Sequence, residues 1–577
     1  MLENPVSETF LLESFIDSPA LNSKLEVEAA LKQLPAVSAK SLHLSQTAFK
    51  QFNISTEKNY KNAPIATLNP SKPLKAETES LLKCATAVLP EEKKQVSELE
   101  QVPIQTLIST YFSFMILLIF AHVRDLLGKF FYPDQYKSLK EQDGYAPLIS
   151  DFESLWNRRL YTRISDVFNR PITGVAGGHV NLLERTSKDN NRTFQLTGKK
   201  TNVLNLASYN YLGFAQSQGY CADQVEKMIL EHGISTCTSR LHGGHTSLLS
   251  QTEQLVANFV GTEDAIIISM GYSTNSSVLP LLVQKGCLLI SDELNHSSLV
   301  AGSRLSGATI AVFKHNNPED LEQVLRKSIS QGQPRTHRPW KKILVVVEGL
   351  YSMEGELCNL RGIIALKQKY KFNLYVDEAH SIGAVGKRGR GICDLLNIDP
   401  KQVDILMGTF TKSFGAVGGY IAGNKSLISM LRLMAHTSVY AESMPIPVLE
   451  QVASSLRLIM DDVPECKGEG LARINQLADN SAYFMGKLKQ MGFLVLGSKG
   501  SPVVPLLLFN PGKIPAFSHE CTKRNMAVVV VSYPATPIIS GRVRFCLSAS
   551  HTREDLNLAL KHIDEIGDLL QLKLLKK

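Results

Sequence analysis

The sequence holds no closely spaced cysteine pair, no Cys/His grouping with zinc-ligand spacing, no RNA-binding signature and no low-complexity repeat. Its nine cysteines stand singly and in odd number, several in apolar stretches (Cys287, Cys393 and Cys546). That usage argues against a disulfide framework and for reduced thiols on a body facing the cytosol. Neither sign of charge dominates: 62 Lys and Arg stand against 54 Asp and Glu, a net charge of +8. Over 577 residues this is mild. It suits an anionic membrane surface or an acyl-CoA and gives no reason to expect nucleic acid. The opening Met1-Leu-Glu-Asn-Pro has an acid and a proline in place of a basic region and an apolar core, so no signal peptide is expected. No metal site is expected.

The length is too great for one small core, and two or more domains are expected. Residues 1–100 are polar, rich in Ser, Lys and Glu, with prolines at 64, 70 and 73. Apart from a stretch with helical potential at 21–34, they read as a flexible extension. The chief apolar run covers 104–123, inside a segment 101–131 read as a membrane-spanning or interfacial helix. About twenty residues suffice to cross a bilayer. Ser, Thr and Gln in its first half weaken that reading; Tyr111, Phe112 and Phe114 suit an interface, and Arg124 and Lys129 follow. Spanning the bilayer, lying in its interface and burial in a soluble core all remain open.

Residues 132–204 read as a bridge with basic helical pieces such as Leu155-Trp-Asn-Arg-Arg-Leu-Tyr161. From 205 to 447, short β-rich runs (265–270, 287–291, 343–347, 374–376 and 405–407) alternate with helical stretches. Such alternation predicts a mostly parallel sheet covered by helices. Residues 448–577 predict a smaller C-terminal α/β unit with strands at 493–496, 503–508 and 526–531, and Arg544 near its last strand. The expected fold class is α/β, with the two units meeting at a ligand.

Four strand ends carry chemistry. Lys412 lies in Gly408-Thr-Phe-Thr-Lys-Ser-Phe-Gly-Ala-Val-Gly-Gly419, after the apolar run 405–407. A lysine held there can form a Schiff base with an aldehyde cofactor while Thr409, Thr411 and nearby N–H groups hold a phosphate. In Asn373-Leu-Tyr-Val-Asp-Glu-Ala-His-Ser-Ile-Gly383, Asp377 ends a strand and His380 follows three residues later. Pyridoxal 5′-phosphate (PLP) needs an anion beside its ring nitrogen, because the protonated ring then accepts electrons from a substrate carbanion. An imidazole three residues on can reach the ring's phenolic oxygen. By itself the segment reads equally as a helix N-cap and a core histidine. His296, after the run 287–291, can stack on a flat ring. Gly271 and Tyr272, after the run 265–270, suit a helix N-terminus that receives phosphate. In open α/β sheets ligands sit beyond the carboxyl ends of the strands.

Taken in this order, these residues resemble the α-oxoamine synthases, fold-type-I PLP enzymes, and within them the serine palmitoyltransferase branch. The resemblance runs from about residue 102 to the C-terminus. It also rests on Ala207-Ser-Tyr-Asn-Tyr-Leu-Gly-Phe214, Gly332-Gln-Pro-Arg-Thr-His-Arg-Pro-Trp-Lys-Lys342 and Val345-Val-Val-Glu-Gly-Leu-Tyr-Ser-Met-Glu-Gly-Glu356. Tyr533-Pro-Ala-Thr-Pro537 and Arg544-Phe-Cys-Leu-Ser-Ala-Ser-His551 complete it. It implies that Lys412 bonds the cofactor, Asp377 pairs with the pyridinium, His296 stacks on the ring and His380 contacts its oxygen. Thr409, Thr411, Gly271 and Tyr272 would serve the phosphate. Arg544 is the candidate for a substrate carboxylate, against the alternative of a surface salt bridge, and Asn210 and Tyr211 border the substrate pocket. L-serine and palmitoyl-CoA are the implied substrates. The implied partners are a homologous subunit lacking the lysine (long-chain-base subunit 1) and small regulatory membrane proteins, at the endoplasmic reticulum. A related synthase using glycine or alanine, and a non-catalytic scaffold subunit, are the competing readings. The basic, glycine-rich 380–391 stretch suits either a CoA phosphate or a tight solvated loop, the loop being favoured.

Overall fold

The computed structural model describes residues 102–575. The polar extension expected over 1–100, with its helical stretch, lies outside them. The first described helix, α1 (Ile104–Phe131), has 28 residues, a length of about 42 Å. Its buried positions are Thr110, Phe114, Ala121 and Asp125, which share one face. Only 17% of its apolar window is buried, against the mostly buried core helix of the soluble alternative. Phe112, Phe120, Leu126 and Phe130 all face outward. At its start, Val102 and Leu107 pack with Leu494, Leu507 and Phe509, and Asn510 Nδ2 donates to Ser113 Oγ at 2.9 Å. Toward its end, Asp125 pairs with Lys129, Arg158 and Arg159, each at 3.0 Å.

The bridging segment contains the expected basic helix, Asp151–Arg159, but much of the remainder is β structure. Strands β1 (Ile172–Thr173), β2 (His179–Thr186) and β3 (Gln195–Asn205) pair antiparallel in sequence order. Sequence pattern hides this hairpin because β3 exposes every residue but its last three, so no hydrophobic alternation marks it.

A seven-stranded sheet supports the site. Its strands are β4 (Asp264–Ile268), β5 (Leu288–Asp292), β6 (Thr309–Phe313), β7 (Ile343–Glu348), β8 (Asn373–Asp377), β9 (Ile405–Thr409) and β10 (Gly419–Gly423). They run in the order β4-β10-β9-β8-β7-β5-β6. β10 lies antiparallel to β4 and β9, and the other pairs are parallel. Alternate side chains sort into two cores. Ile266, Leu289, Leu344, Val346, Tyr375 and Met407 enter one; Ala265, Ile290, Val345, Val347, Val376 and Leu406 enter the other. Period-two alternation with both faces covered explains why these strands read as continuous apolar runs. The five runs expected from sequence fall on β4, β5, β7, β8 and β9, though 265–270 overruns β4 into the cap of the next helix and 287–291 starts one residue early; β6, at the sheet's edge, and β10, bounded by glycines, were not anticipated.

The C-terminal part holds β11 (Val503–Leu507), β12 (Met526–Ala527), β13 (Val529–Val531) and β14 (Arg542–Cys546). β11, β14 and β13 form an antiparallel sheet. Two expectations are corrected here. Residues 493–496 are not a strand: they make isolated bridges, Phe493 to Lys573 and Val495 to Leu506, and are apolar because Phe493, Leu494 and Val495 are buried. The run 526–531 is two strands. Met526–Ala527 pairs in parallel with Leu204 and Asn205 of β3, while Val529–Val531 pairs with β14. Val528 is the break, and apolar periodicity carries no mark of a change of partner.

One buried charge fastens the helix Ser247–Val260 to this sheet. Glu253 is 2% exposed. It accepts from Arg240 at 2.5 and 2.7 Å, from Arg432 at 3.1 Å and from the backbone N–H of Ile267 in β4 at 2.8 Å. Removing one partner of a buried pair strands the other's charge. Glu253→Ala therefore lowers stability by about 3–5 kcal/mol, read as a fall in the midpoint of urea unfolding followed by circular dichroism. A midpoint equal to wild type refutes the anchoring role.

Candidate active site

The carboxyl ends of β4, β5, β7, β8 and β9 converge on one region. Asp377, the last residue of β8, is 3% exposed. Its Oδ2 accepts from Asn275 Nδ2 at 2.7 Å and its Oδ1 from Ala379 N–H at 2.8 Å. Asn275 also donates to Ser298 Oγ at 2.9 Å and accepts from the Tyr375 hydroxyl at 2.6 Å. One amide thus locks the carboxylate to the helices Gly271–Leu282 and Ser297–Leu305. No helix begins at Asp377, so the N-cap alternative does not apply.

His296 follows β5 and caps the helix Ser297–Leu305. Its Nδ1 lies 2.8 Å from Ser298 Oγ, which fixes the ring's orientation. Its backbone N–H donates to Glu348 Oε1, at the end of β7, at 2.5 Å. Burial, reinforced by the Asp377 charge, holds Glu348 well above the usual carboxylate range. Burial also lowers His296, against the raising effect of Asp377.

Lys412 lies three residues beyond β9. Among the described residues its amine makes no hydrogen bond or ion pair; Nζ stands 5.8 Å from the centre of the Tyr209 ring. Burial lowers its pKa to about 8, although the Asp377 carboxylate opposes that fall. A lysine amine so tuned is partly neutral, and hence nucleophilic, near physiological pH.

Thr409 Oγ1 donates to the Gly418 carbonyl at 2.8 Å and lies 2.9 Å from Thr411 Oγ1. Gly271 opens the helix Gly271–Leu282, so its N–H and that of Tyr272 have no intrahelical acceptor. A Cβ on Gly271 would stand 2.9 Å from Thr409 Oγ1. Only glycine lets the helix start this close to the threonine pair. Two hydroxyls and a helix N-terminus in contact form a cradle suited to a phosphate. With Asp377, His296 and the free Lys412 amine, the donor set fits the cofactor that the sequence resemblance implies.

Arg544 lies in β14 and is 5% exposed. No carboxylate among the described residues pairs with it. It donates to the Tyr209 hydroxyl, to the Ser352 carbonyl at 3.4 Å and to Met353 Sδ at 3.7 Å, and its Nε is buried without a partner. The surface-salt-bridge alternative is therefore excluded. A buried guanidinium lacking an anion suits a carboxylate.

Asn210 and Tyr211 are placed behind the site. Asn210 Nδ2 donates to the Ala176 carbonyl at 3.0 Å and Oδ1 accepts from Ala215 N–H at 3.3 Å, so both ends brace loops. Tyr211 is fully buried, its hydroxyl 2.8 Å from Nδ1 of His380. Burial holds His380 well below its ordinary pKa, hence neutral. The tyrosine facing the chemistry is Tyr209, which sequence reasoning passed over: it meets Arg544, Lys412 and, edge-on at 5.4 Å, His380. In the stretch Tyr209-Asn-Tyr211 the two tyrosines look alike, and only the fold separates them. Asn275 was likewise passed over, since only the fold turns this helical asparagine toward Asp377. The basic 380–391 stretch folds on itself: Gly383 N–H donates to the Gly389 carbonyl and Arg388 N–H to Asp394. This is the tight-loop alternative.

The family described as aminotransferase class I and II matches residues 201–563. Serine palmitoyltransferase 2 of Schizosaccharomyces pombe is 55% identical over 466 residues, 81% of this chain and 77% of that protein. The Saccharomyces cerevisiae protein of the same name is 51% identical, over 80% and 82% of the two chains. Long chain base biosynthesis protein 2a of Arabidopsis thaliana is 49% identical, over 82% and 96%. Among solved structures, an S. paucimobilis serine palmitoyltransferase variant with a bound PLP–myriocin aldimine superposes with a TM-score of 0.64 at 26% identity, covering 74% of this chain and 99% of that one. The Sphingomonas wittichii serine palmitoyltransferase gives the same TM-score at 27% identity, covering 74% and 99%.

The Lys412 amine gives a direct test of this electrostatic arrangement. In cofactor-free protein, acetic anhydride labels Lys412 increasingly as pH rises through about 8, because the neutral amine is the reactive form. Peptide mass mapping reads the midpoint. Asp377→Asn moves it lower still, since the Asp377 charge is what raises it. A midpoint shared with surface lysines refutes the burial effect.

Proposed function

Because the chain belongs to the aminotransferase class I and II family, and within it to the serine palmitoyltransferase 2 group, we infer that it is the PLP-dependent catalytic subunit of a serine palmitoyltransferase. The reaction condenses L-serine with palmitoyl-CoA, releases CoA and carbon dioxide, and gives 3-ketodihydrosphingosine. The observation that carries this reading is the pairing of an unbonded Lys412 amine with a buried Arg544 that has no anion of its own.

When bound, PLP supplies an electron-withdrawing ring that stores the charge left as the amino acid loses its α-proton. We assign the cofactor to Lys412, Asp377, His296, His380, Thr409, Thr411 and the Gly271–Tyr272 backbone. Asp377, held by Asn275, would pair with the ring N–H of the cofactor. Neutral His380 is a hydrogen-bonding group for the ring oxygen, and Tyr211 holds its far nitrogen. Arg544 takes the serine carboxylate, oriented by Tyr209. The Lys412 amine, its pKa lowered to about 8, takes the α-proton.

Several finer points belong to this proposal. The chain works as a heterodimer with a lysine-lacking homologous subunit, long-chain-base subunit 1. In support, Leu230, Met270, Tyr272 and Val417 are exposed apolar residues, and Ile229, Leu230 and Val417 line a cavity of about 600 Å³; contiguous exposed apolar surface of this kind marks an interaction site. Small regulatory membrane proteins complete the assembly. The outward-facing apolar surface of α1 supports membrane association, and reduced cysteines support a catalytic body facing the cytosol from the endoplasmic reticulum membrane. We divide the body into a large PLP-binding domain over 205–447 and a small domain over 448–577.

The test is a CoA-release assay on the full-length chain co-purified with its partner, with the product identified by mass spectrometry. Serine supports release; glycine and alanine do not. Lys412→Ala abolishes release while the partner still co-purifies; equal activity in this variant overturns the assignment. Tyr209→Phe removes a hydrogen bond to a charged group, of about 1.5–3 kcal/mol. It raises the KM for serine about tenfold or more with kcat little changed, whereas an unaltered KM removes Tyr209 from carboxylate binding.

A further inference from the structure

Beside the end of α1 lies a cavity of about 600 Å³ lined by six cations: Arg124, Arg158, Arg159, Arg163, Lys188 and Arg192. They come from three places: α1, the segment from Asp151–Arg159 onward, and the turn joining β2 to β3. The carboxylates nearby are already engaged. Asp125 and Asp151 hold Arg158, and Asp125 also holds Arg159. Asp166 accepts from His519 at 2.6 Å and Asn191 at 3.0 Å. Asp189 turns back on its own loop, accepting from the N–H groups of Arg192 and Thr193 at 3.0 and 2.9 Å. The side chains of Arg124, Arg163, Lys188 and Arg192 therefore face the cavity without an acidic partner among the described residues, and Arg158 Nε is buried with no hydrogen-bond partner. Unpaired cations around a recess are the chemistry of a phosphate receptor.

The position of the cavity identifies the source of the phosphate. α1 is docked to the body by one face, through Leu107 and Ser113 near its start and Asp125 near its end, and its outward face is apolar over Phe112, Phe120, Leu126 and Phe130. A helix held this way meets a bilayer with that outward face and lies in the interface. Arg124 and the cavity stand beside it, and Phe130, Phe131 and Tyr132 next to them are exposed, the residue types of a membrane–water interface. The cavity thus lies at headgroup level. We propose that it binds the headgroup of an anionic phospholipid, a site separate from the catalytic one. It rests on the membrane association proposed above.

The test uses the full-length chain with its partner subunit in a neutral maltoside detergent, titrated with dioctanoyl phosphatidic acid, dioctanoyl phosphatidylcholine or inorganic phosphate, with bound species counted by native mass spectrometry. The wild type retains phosphatidic acid at least tenfold more tightly than phosphatidylcholine, and added salt weakens the difference. Arg124→Gln, Arg163→Gln and Arg192→Gln combined lower that affinity about 100-fold, while the matching Arg→Lys triple variant keeps most of it. Cofactor absorbance and CoA release are unchanged in both, which separates a binding defect from a folding one. Equal retention of the two lipids, an unaffected Gln triple variant, or displacement of the lipid by equimolar inorganic phosphate overturns the headgroup site. Full-length protein that fails to enter phosphatidylcholine vesicles on reconstitution overturns the membrane reading as well.

Discussion

Everything at the catalytic centre depends on holding one buried carboxylate in a fixed position. Asp377 manages this through bonds that cannot easily rearrange: an amide from the next helix and a backbone N–H two residues on. Each bond to the charged oxygen contributes about 1.5–3 kcal/mol. The amide is itself held by Tyr375 and by contact with Ser298, so the anion cannot swing without disturbing β8 and two helices. Glu348, close by and forced neutral by burial, shows the alternative fate of an acid in the same surroundings. Two acids at adjacent strand ends thus differ in their donors: Asp377 receives an amide and a backbone N–H, Glu348, among the described residues, only the N–H of His296.

Burial sets the character of the groups around this carboxylate. Low dielectric depresses the cations around it: Lys412 falls to about 8 and His380 is held neutral. Arg544 cannot shed its proton, and remains the one group of this set whose charge is fixed and unanswered. The site accordingly holds a firmly bonded carboxylate at Asp377 and an unanswered positive charge at Arg544.

The parts of this arrangement legible in the sequence were those at strand ends. A central parallel strand is apolar on both faces, so its end stands out, and Asp377, His296, Gly271 and Lys412 were found at or shortly after such ends. Arg544 was visible as a residue but not as a buried one, since burial of a charge is a property of what folds over it. Tyr209 and Asn275 were illegible for a related reason: nothing in Tyr-Asn-Tyr says which ring turns inward, and an asparagine in a helix is usually solvated. The fold followed the same rule. Buried runs such as 343–347 and 405–407 announced their strands, whereas the solvated β3 did not. Phe493 to Val495 looked like a strand because core packing and sheet pairing demand the same side chains.

The single-residue interval at Val528 has a mechanical meaning. On one side of it, Met526–Ala527 is laced to β3, whose companion β2 leads into the basic turn beside α1. On the other, Val529–Val531 is laced to the strand that bears Arg544. A peptide unit allows almost no stretch. The β2–β3 hairpin and the strand bearing Arg544 are therefore coupled as if by a short rigid tie-rod, and a shear of one sheet has a covalent route to the other.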